Sequence, residues 1–180
     1  IIADNGSTDD SIPFLKKTFP EIKVIEFKEN SGFTKGYNDA LKCLHVGGSA
    51  SSCDYYVLLN SDVEVTENWI EPVIQLMERD KSIAAAQPKI KSYSDKTKFE
   101  YAGAAGGFID KFGYPFCRGR IFDTLETDLG QYNDEKEIFW ATGSCMFVRA
   151  DLFQDHGGFE NDFFAHMEEI DLCWRLNNNG

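Results

Sequence analysis

Residues 55–64, Tyr55-Tyr56-Val57-Leu58-Leu59-Asn60-Ser61-Asp62-Val63-Glu64, pass directly from an apolar run of strand type into a short acidic cluster. A buried strand that delivers a carboxylate to its carboxyl end sets that group at the rim of a sheet, where open α/β folds bind ligands. Asp62 is therefore a candidate metal ligand. Hard divalent cations such as Mg2+ and Mn2+ take oxygen ligands and are often held by one or two carboxylates plus substrate phosphates, so N-x-D at a strand end suits a metal–diphosphate complex. Asn and Asp are also common turn and cap residues, and Asn60 and Asp62 fit a turn that caps a helix beginning near Glu67. This stretch alone leaves both roles open.

Strands and helices alternate on the amino-terminal side. Ile1 to Ala3 reads as the end of a strand, followed by the polar turn Asp4-Asn5-Gly6-Ser7-Thr8-Asp9-Asp10 and a helix carrying Ile12, Leu15 and Phe19, closed by Pro20. Ile22 to Phe27 is a short strand, and Asn30 to Asn38 is a loop running into a helix with the apolar face Tyr37, Ala40, Leu41 and Leu44. Beyond the opening stretch, Trp69, Ile70, Val73, Ile74 and Met77 mark a third helix. This is the pattern of an α/β fold, a Rossmann-like, mostly parallel sheet flanked by helices.

The rhythm changes from about Ile83. A short strand through Ala86 and Ile90 leads to a glycine-rich stretch at 101–108, and Phe112 to Glu137 reads as a long surface excursion of the kind used for lids and binding loops. Phe139 to Val148 returns to strand character, Arg149 to Gln154 is a short helix ended by Gly157-Gly158, and Glu168 to Asn179 is a helix with Ile170, Cys173, Trp174 and Leu176 on its buried side. No internal repeat or interdomain linker is present.

With 180 residues, 42% of them hydrophobic, the chain can bury a substantial core. A net charge of −12 argues against a nucleic-acid partner, which calls for a basic face, whereas a phosphate-bearing small ligand is compatible if a cation supplies positive charge. The five cysteines, Cys43, Cys53, Cys117, Cys145 and Cys173, are odd in number and form no C-x-x-C pair, which predicts reduced thiols in a cytosolic setting and no structural zinc. No apolar run approaches a membrane span, and the Ile1-Ile2-Ala3-Asp4 start resembles neither a signal peptide nor an initiator terminus, so the chain reads as an excised segment.

Four polar clusters adjoin predicted strand ends or helix starts: Asp4 to Asp9, Asn30 to Asn38, Asn60 to Asp62, and His166-Met167-Glu168-Glu169-Ile170-Asp171. Each has a structural alternative. The first is a plausible plain turn and lacks the register of a calcium loop. Gly32 and Gly36 let backbone approach a diphosphate, although Gly32 also suits a positive φ. Carboxylates at Glu168 and Glu169 favour a helix dipole, and as neighbours they also raise one another's pKa, which suits general-base work.

Taken in order, DNGSTDD after a strand, NSGFTKGYNDAL, YYVLLNSDVEVTENW, WATGSCMFVRADLF and FFAHMEEIDLCWR closely resemble family 2 glycosyltransferases with a GT-A fold, especially the bacterial rhamnosyltransferase-like group. The resemblance implies one GT-A catalytic domain over residues 1–180, truncated at both ends, with a nucleotide-binding part at about 1–90 and an acceptor and catalytic part, including a small antiparallel portion, at about 91–180. It implies that Asp4 contacts the nucleotide base, that Asn5 also binds the nucleotide, that Asn30, Gly32, Lys35 and Asn38 line the nucleotide pocket, that Asn60 lies near the ribose and that Asp62 holds Mg2+ or Mn2+. The family's E-D motif, source of the catalytic base, falls on Glu168-Glu169. Here Glu169 stands where Asp is usual, one methylene longer, so the choice among Glu168, Glu169 and Asp171 stays open. Trp140, Gly143 and Ser144 fit a donor and acceptor wall, although a core position is the commoner role for a tryptophan such as Trp140.

The reaction implied is inverting transfer from a UDP- or dTDP-sugar to a glycan or lipid-linked acceptor, in the cytoplasm or, as a peripheral protein, at the inner face of the cell membrane. Two rivals share the scaffold: a sugar nucleotidyltransferase, whose basic triphosphate loop is not visible here, and a non-catalytic nucleotide-sugar or glycan-binding module, against which the intact acids Asp62 and Glu169 argue.

Overall fold

A computed structural model describes residues 1–45 and 53–178. They form two compact units, Ile1–Ser52 with Gly158–Glu168, and Cys53–Gly157 with Glu169–Gly180.

In the first unit, strand β1 (Ile2–Asp4), helix α1 (Ser11–Thr18), strand β2 (Val24–Glu26) and helix α2 (Phe33–His45) follow one another. β1 and β2 pair in parallel with Ile2 opposite Val24 and Asp4 opposite Glu26, so α1 is the crossover that a parallel pair requires. Helix α1 buries none of its residues, and Phe14 and Phe19 meet edge to face with ring centres 6.4 Å apart on an exposed surface. Helix α2 buries Ala40 and Leu41 as its spacing predicts, but the buried stripe also includes the polar Thr34 and Asn38.

The second unit is built on strand β3 (Tyr55–Leu59), helix α3 (Glu71–Arg79) and strand β4 (Ala85–Ala86). A four-stranded antiparallel meander follows: β5 (Gly107–Ile109), β6 (Pro115–Cys117), β7 (Arg120–Ile121) and β8 (Thr124–Leu125). Strand β9 (Cys145–Arg149), helix α4 (Ala150–Asp155) and helix α5 (Glu168–Asn178), which begins one residue before this unit, complete the chain. β9 lies between β3 and β4 and is antiparallel to both, with Leu59 opposite Cys145 and Ala86 opposite Phe147. The β3–α3–β4 crossover therefore leaves its two strands parallel to each other with a reversed strand inserted between them, so both pairings of this sheet are antiparallel, whereas the β1–β2 pair of the first unit is parallel.

This sheet is covered on both faces, which explains its near-continuous apolar sequence. On one side Met77, Ala86, Cys145 and Phe147 are buried with Trp69, Val73 and Ile74 against them, and the Trp69 and Phe147 rings meet at 5.5 Å. On the other, Tyr56 and Phe153 meet edge to face at 5.7 Å. Full burial of a side chain such as Met77 or Phe147 is worth roughly 1.5–3 kcal/mol of transfer from water.

Three expectations change. Residues 112–137 are not one loop: β6, β7 and β8 lie inside that range, strands too short for a period to reveal them. On α5 the buried apolar positions are Ile170, Leu172, Cys173 and Leu176, whereas Trp174 is 47% exposed, so the buried stripe runs one residue to the other side. Helix α3 starts at Glu71, not Glu67, with Pro72 in its first turn and no side-chain cap, so neither Asn60 nor Asp62 caps it.

Candidate active site

In the first unit, five predicted nucleotide-binding residues, Asp4, Asn5, Asn30, Lys35 and Asn38, are engaged with the protein itself. The Asp4 carboxylate, at the end of β1, accepts the Ser7 N–H at 3.2 Å and shapes the turn that follows. Asn5 ties that turn to the next loop: its Nδ2 donates to Asn30 Oδ1 at 3.1 Å and to the Gly32 carbonyl at 2.9 Å, and its Oδ1 accepts the Ser31 N–H at 3.1 Å. Asn30 Oδ1 also accepts the Gly32 N–H at 2.9 Å. Asn38 is buried and fully occupied: Nδ2 donates to the Phe159 carbonyl at 2.7 Å and to Asn161 Oδ1 at 3.0 Å, while Oδ1 accepts the Phe159 N–H at 3.0 Å. Its amide locks α2 to the segment before the acidic motif. Lys35 is paired with Asp39 one turn along α2.

Two glycines permit this packing. Gly32 has φ +85°, and a Cβ there would stand 2.6 Å from the Phe164 ring; one at Gly36 would stand 2.9 Å from the Asn5 amide. The Phe164 carbonyl accepts the Phe33 N–H at 2.8 Å, satisfying a donor in the first turn of α2 that lacks a helical partner. Phe164, His166 and Met167 all have left-handed backbone, at φ 52°, 74° and 73°. Left-handed non-glycine residues carry strain of order 1–3 kcal/mol each and cluster at functional sites. They lead directly into Glu168, which is buried, and whose Oε2 has no hydrogen-bond partner among the described residues. Burial pushes its carboxyl pKa up, and the nearby His166 opposes this in part.

In the second unit the end of β3 is organised differently. The Asn60 N–H donates to the Ser144 carbonyl at 3.0 Å, continuing the β3–β9 ladder by one pair, and the Val63 N–H reaches the Asn60 carbonyl at 3.3 Å. Backbone thus makes the turn. Asp62 is exposed, and its carboxylate has no hydrogen bond or ion pair among the described residues. The same ladder brings Gly143-Ser144 beside Asn60-Ser61-Asp62. Ser144 and Thr142 hydroxyls lie 2.8 Å apart, Thr142 Oγ1 donates to the Ala102 carbonyl at 2.9 Å and the Thr142 N–H donates to Gln87 Oε1 at 2.8 Å. Gln87 and Thr142 were not singled out in the sequence, because only the fold shows that they hold the Ser144 turn.

Trp140 is 5% exposed and packs on Gly107, its indole N–H donating to the Phe108 carbonyl at 2.9 Å. That burial gives it a core position, with no face free for a sugar. Asp171 is gripped by Arg175, which donates from Nε at 2.9 Å and from Nη2 at 2.7 Å and also holds the His156 carbonyl. Glu169 is half-buried on the first turn of α5. A cavity of about 1040 Å³ in this unit runs past Arg79, Lys89, Tyr132 and Asn177, and neither Asp62 nor Ser144 lines it.

No cluster of three or more His, Cys, Asp or Glu side chains that could hold an ion occurs among the described residues. One accessible carboxylate at a strand end fits a Mg2+ or Mn2+ ion that arrives with, and is largely ligated by, a diphosphate.

The family described as Glycosyl transferase family 2 matches residues 1–157. The N-acetylglucosaminyl-diphospho-decaprenol L-rhamnosyltransferase of Mycobacterium tuberculosis is 27% identical over the whole chain, which covers 61% of that relative's length. Rhamnosyltransferase WbbL of Escherichia coli K12 is 25% identical over 98% of the chain, which covers 65% of it. Among solved structures, the crystal structure of GalNAc-T7 with UDP, GalNAc and Mn2+ superposes with a TM-score of 0.59 at 13% identity, over 94% of this chain and 31% of that one, a likeness of fold.

Proposed function

The chain belongs to glycosyl transferase family 2, related to bacterial rhamnosyltransferases, and on that premise we propose an inverting sugar transfer from a UDP- or dTDP-linked donor to a hydroxyl of a glycan or lipid-linked acceptor. The observation that carries the proposal is the exposed Asp62 carboxylate, without a partner among the described residues, at the carboxyl end of strand β3. Asp62 would hold Mg2+ or Mn2+, which, when bound, offsets the charge developing on the leaving diphosphate. Ser144, fixed beside Asn60, offers a hydroxyl to the same region.

Glu169 is the base by motif position, on a half-buried side chain whose Oε2 is shielded from solvent. Its carboxylate takes the acceptor hydroxyl proton while the acceptor oxygen bonds to the anomeric carbon. The bond from that carbon to the diphosphate oxygen breaks, and the nucleoside diphosphate leaves with the electron pair. Asp171 is a poor base because the Arg175 fork occupies it. Glu168, favoured in its protonated form by burial, positions the start of α5 beside the base. The polar network of Asn5, Asn30 and Asn38 preforms the loop that receives the nucleotide. The reaction runs in the cytoplasm or at the inner face of the membrane, where lipid-linked acceptors lie.

Calorimetric titration with UDP, dTDP and GDP, each with and without Mn2+ or Mg2+, tests this on the chain and on Asp62→Ala. Metal-dependent binding of one nucleotide, lost in the variant, is expected. Equal metal-dependent binding by both proteins removes Asp62 from the mechanism.

A further inference from the structure

Thr142 is 2% exposed, and its hydroxyl reaches two oxygens at once, the Ala102 carbonyl at 2.9 Å and the Ser144 hydroxyl at 2.8 Å. A hydroxyl carries one hydrogen and two lone pairs, whereas a carbonyl oxygen only accepts. Both bonds are made in one way alone: Thr142 gives its hydrogen to Ala102, and Ser144 gives its own to Thr142 Oγ1. The Ser144 N–H, 3.4 Å from the same oxygen, points the same way. With its one hydroxyl hydrogen committed, Ser144 Oγ meets any other group through lone pairs only.

The surroundings hold Thr142 in place. Its N–H donates to Gln87 Oε1 at 2.8 Å, and the Gln87 amide is oriented by Nε2, which donates to the carbonyls of Gly103 at 3.2 Å and Pro88 at 3.3 Å. Gly103 has φ +114° and lies against the Thr142 side chain, where a Cβ would stand 2.4 Å from Thr142 Cβ. Three separate stretches of chain therefore converge on one buried hydroxyl, far more structure than a turn needs.

Ser144, unlike Thr142, is partly exposed. The Asn60 N–H on its carbonyl carries the β3–β9 register on to Asn60 opposite Ser144, and directly opposed residues of an antiparallel pair set their side chains on one face. The lone pairs of Ser144 thus belong to the rim at the carboxyl end of β3. An oxygen that only accepts repels the diphosphate oxygens of a sugar nucleotide, which carry no hydrogen at neutral pH. It binds a group that brings a hydrogen of its own. On a sugar nucleotide that group is a hydroxyl, of the ribose or of the sugar.

We infer that Thr142 is a positioning residue that fixes Ser144 as the hydrogen-bond acceptor for a hydroxyl of the sugar nucleotide. The inference rests on the transferase reading, which supplies the ligand, and adds to it the polarity of the contact and the residue that sets it.

Calorimetric titration in the presence of Mn2+ with dideoxy-UDP, which lacks the ribose hydroxyls, UDP and UDP-glucose, and with the corresponding thymidine series, tests it. Ser144→Ala is expected to weaken binding by about three- to tenfold, the worth of one neutral hydrogen bond, for ligands that carry the recognised hydroxyl and to leave the others unchanged. A loss that begins at UDP names the ribose as the source, and one that begins at the glucose-bearing ligands names the sugar. Thr142→Val should show the same selective loss and add nothing to Ser144→Ala in the double variant, because it acts through Ser144, while Thr142→Ser restores the parent's preference. Thermal melting verifies that the variants fold, and Ser144→Ala, at a partly exposed side chain, carries the test if Thr142→Val does not. An equal loss for all ligands overturns the inference and gives Ser144 to the diphosphate or its ion. Additive losses, or none, also overturn it. Metal-dependent binding that is lost in Asp62→Ala yet indifferent to Ser144→Ala sinks this inference alone, and absence of any nucleotide binding by the parent sinks the transferase reading and this inference with it.

Discussion

The loops of the first unit and the end of β3 in the second are both rich in Asn and Asp, yet they use these residues in opposite ways. Asp4, Asn5, Asn30 and Asn38 direct their side chains at backbone and at one another, and Asn38 uses both ends of its amide. At the end of β3 the backbone makes the turn through Asn60 and Ser144, and the Asp62 carboxylate is left over. Motif residues therefore divide into those whose side chains hold a shape and one, Asp62, whose carboxylate has no partner among the described residues. The division predicts which variants lose stability and which lose rate.

The largest expected effect is on rate. Asp62→Ala should lower sugar transfer by about a hundredfold or more, in line with the several kcal/mol that a metal contributes to such steps, while melting stays within about 0.5 kcal/mol of the parent. A melting shift as large as the loss of rate would place Asp62 with the shape-holding residues. Next is the acidic pair. Glu169→Gln should cost about a hundredfold in kcat or more, whereas Glu168→Gln, which mimics the protonated acid, should stay within about tenfold. Reversed losses would exchange their roles.

Asn38→Ala should be the largest loss of stability, about 2–4 kcal/mol, because it removes three hydrogen bonds from a buried site, two to the Phe159 backbone and one to Asn161. Chemical denaturation measures this, and a neutral result would break the contrast on the first unit's side. The smallest effect is in pH. A carboxyl with raised pKa binds more protons folded than unfolded, so stability falls as pH rises from the ordinary carboxylate range through the raised value of Glu168. Melting of Glu168→Gln should lose that part of the pH dependence and match the parent at acid pH.

Legibility in the sequence followed the range of the interactions involved. Strand β3 matches its expected limits, Tyr55 to Leu59, because an apolar run bounded by polar residues is a local signal. The α5 start at Glu168 was equally local, whereas its inward face was not: Leu172 and Trp174 are both apolar, and only packing decides between them. Strands β6 to β8, two or three residues each, exist through cross-strand pairing that no window of sequence displays. The site divides likewise. Asp62 stood out at its strand end, but that its carboxylate meets no partner among the described residues, and that Asn38 is tied to Phe159 and Asn161, depends on parts of the chain far away in sequence.

The placement of β9 between β3 and β4 also has a bearing on biosynthesis. When the ribosome has finished β4, neither β3 nor β4 has its eventual neighbour, and β9 is still roughly 60 residues away, about 3–12 s at ordinary elongation rates. Throughout that interval two apolar strands present open edges, the condition under which chains pair with the wrong partner. Emergence of Cys145–Arg149 from the exit tunnel closes both edges at once. Chaperone demand on the nascent polypeptide should therefore end sharply there.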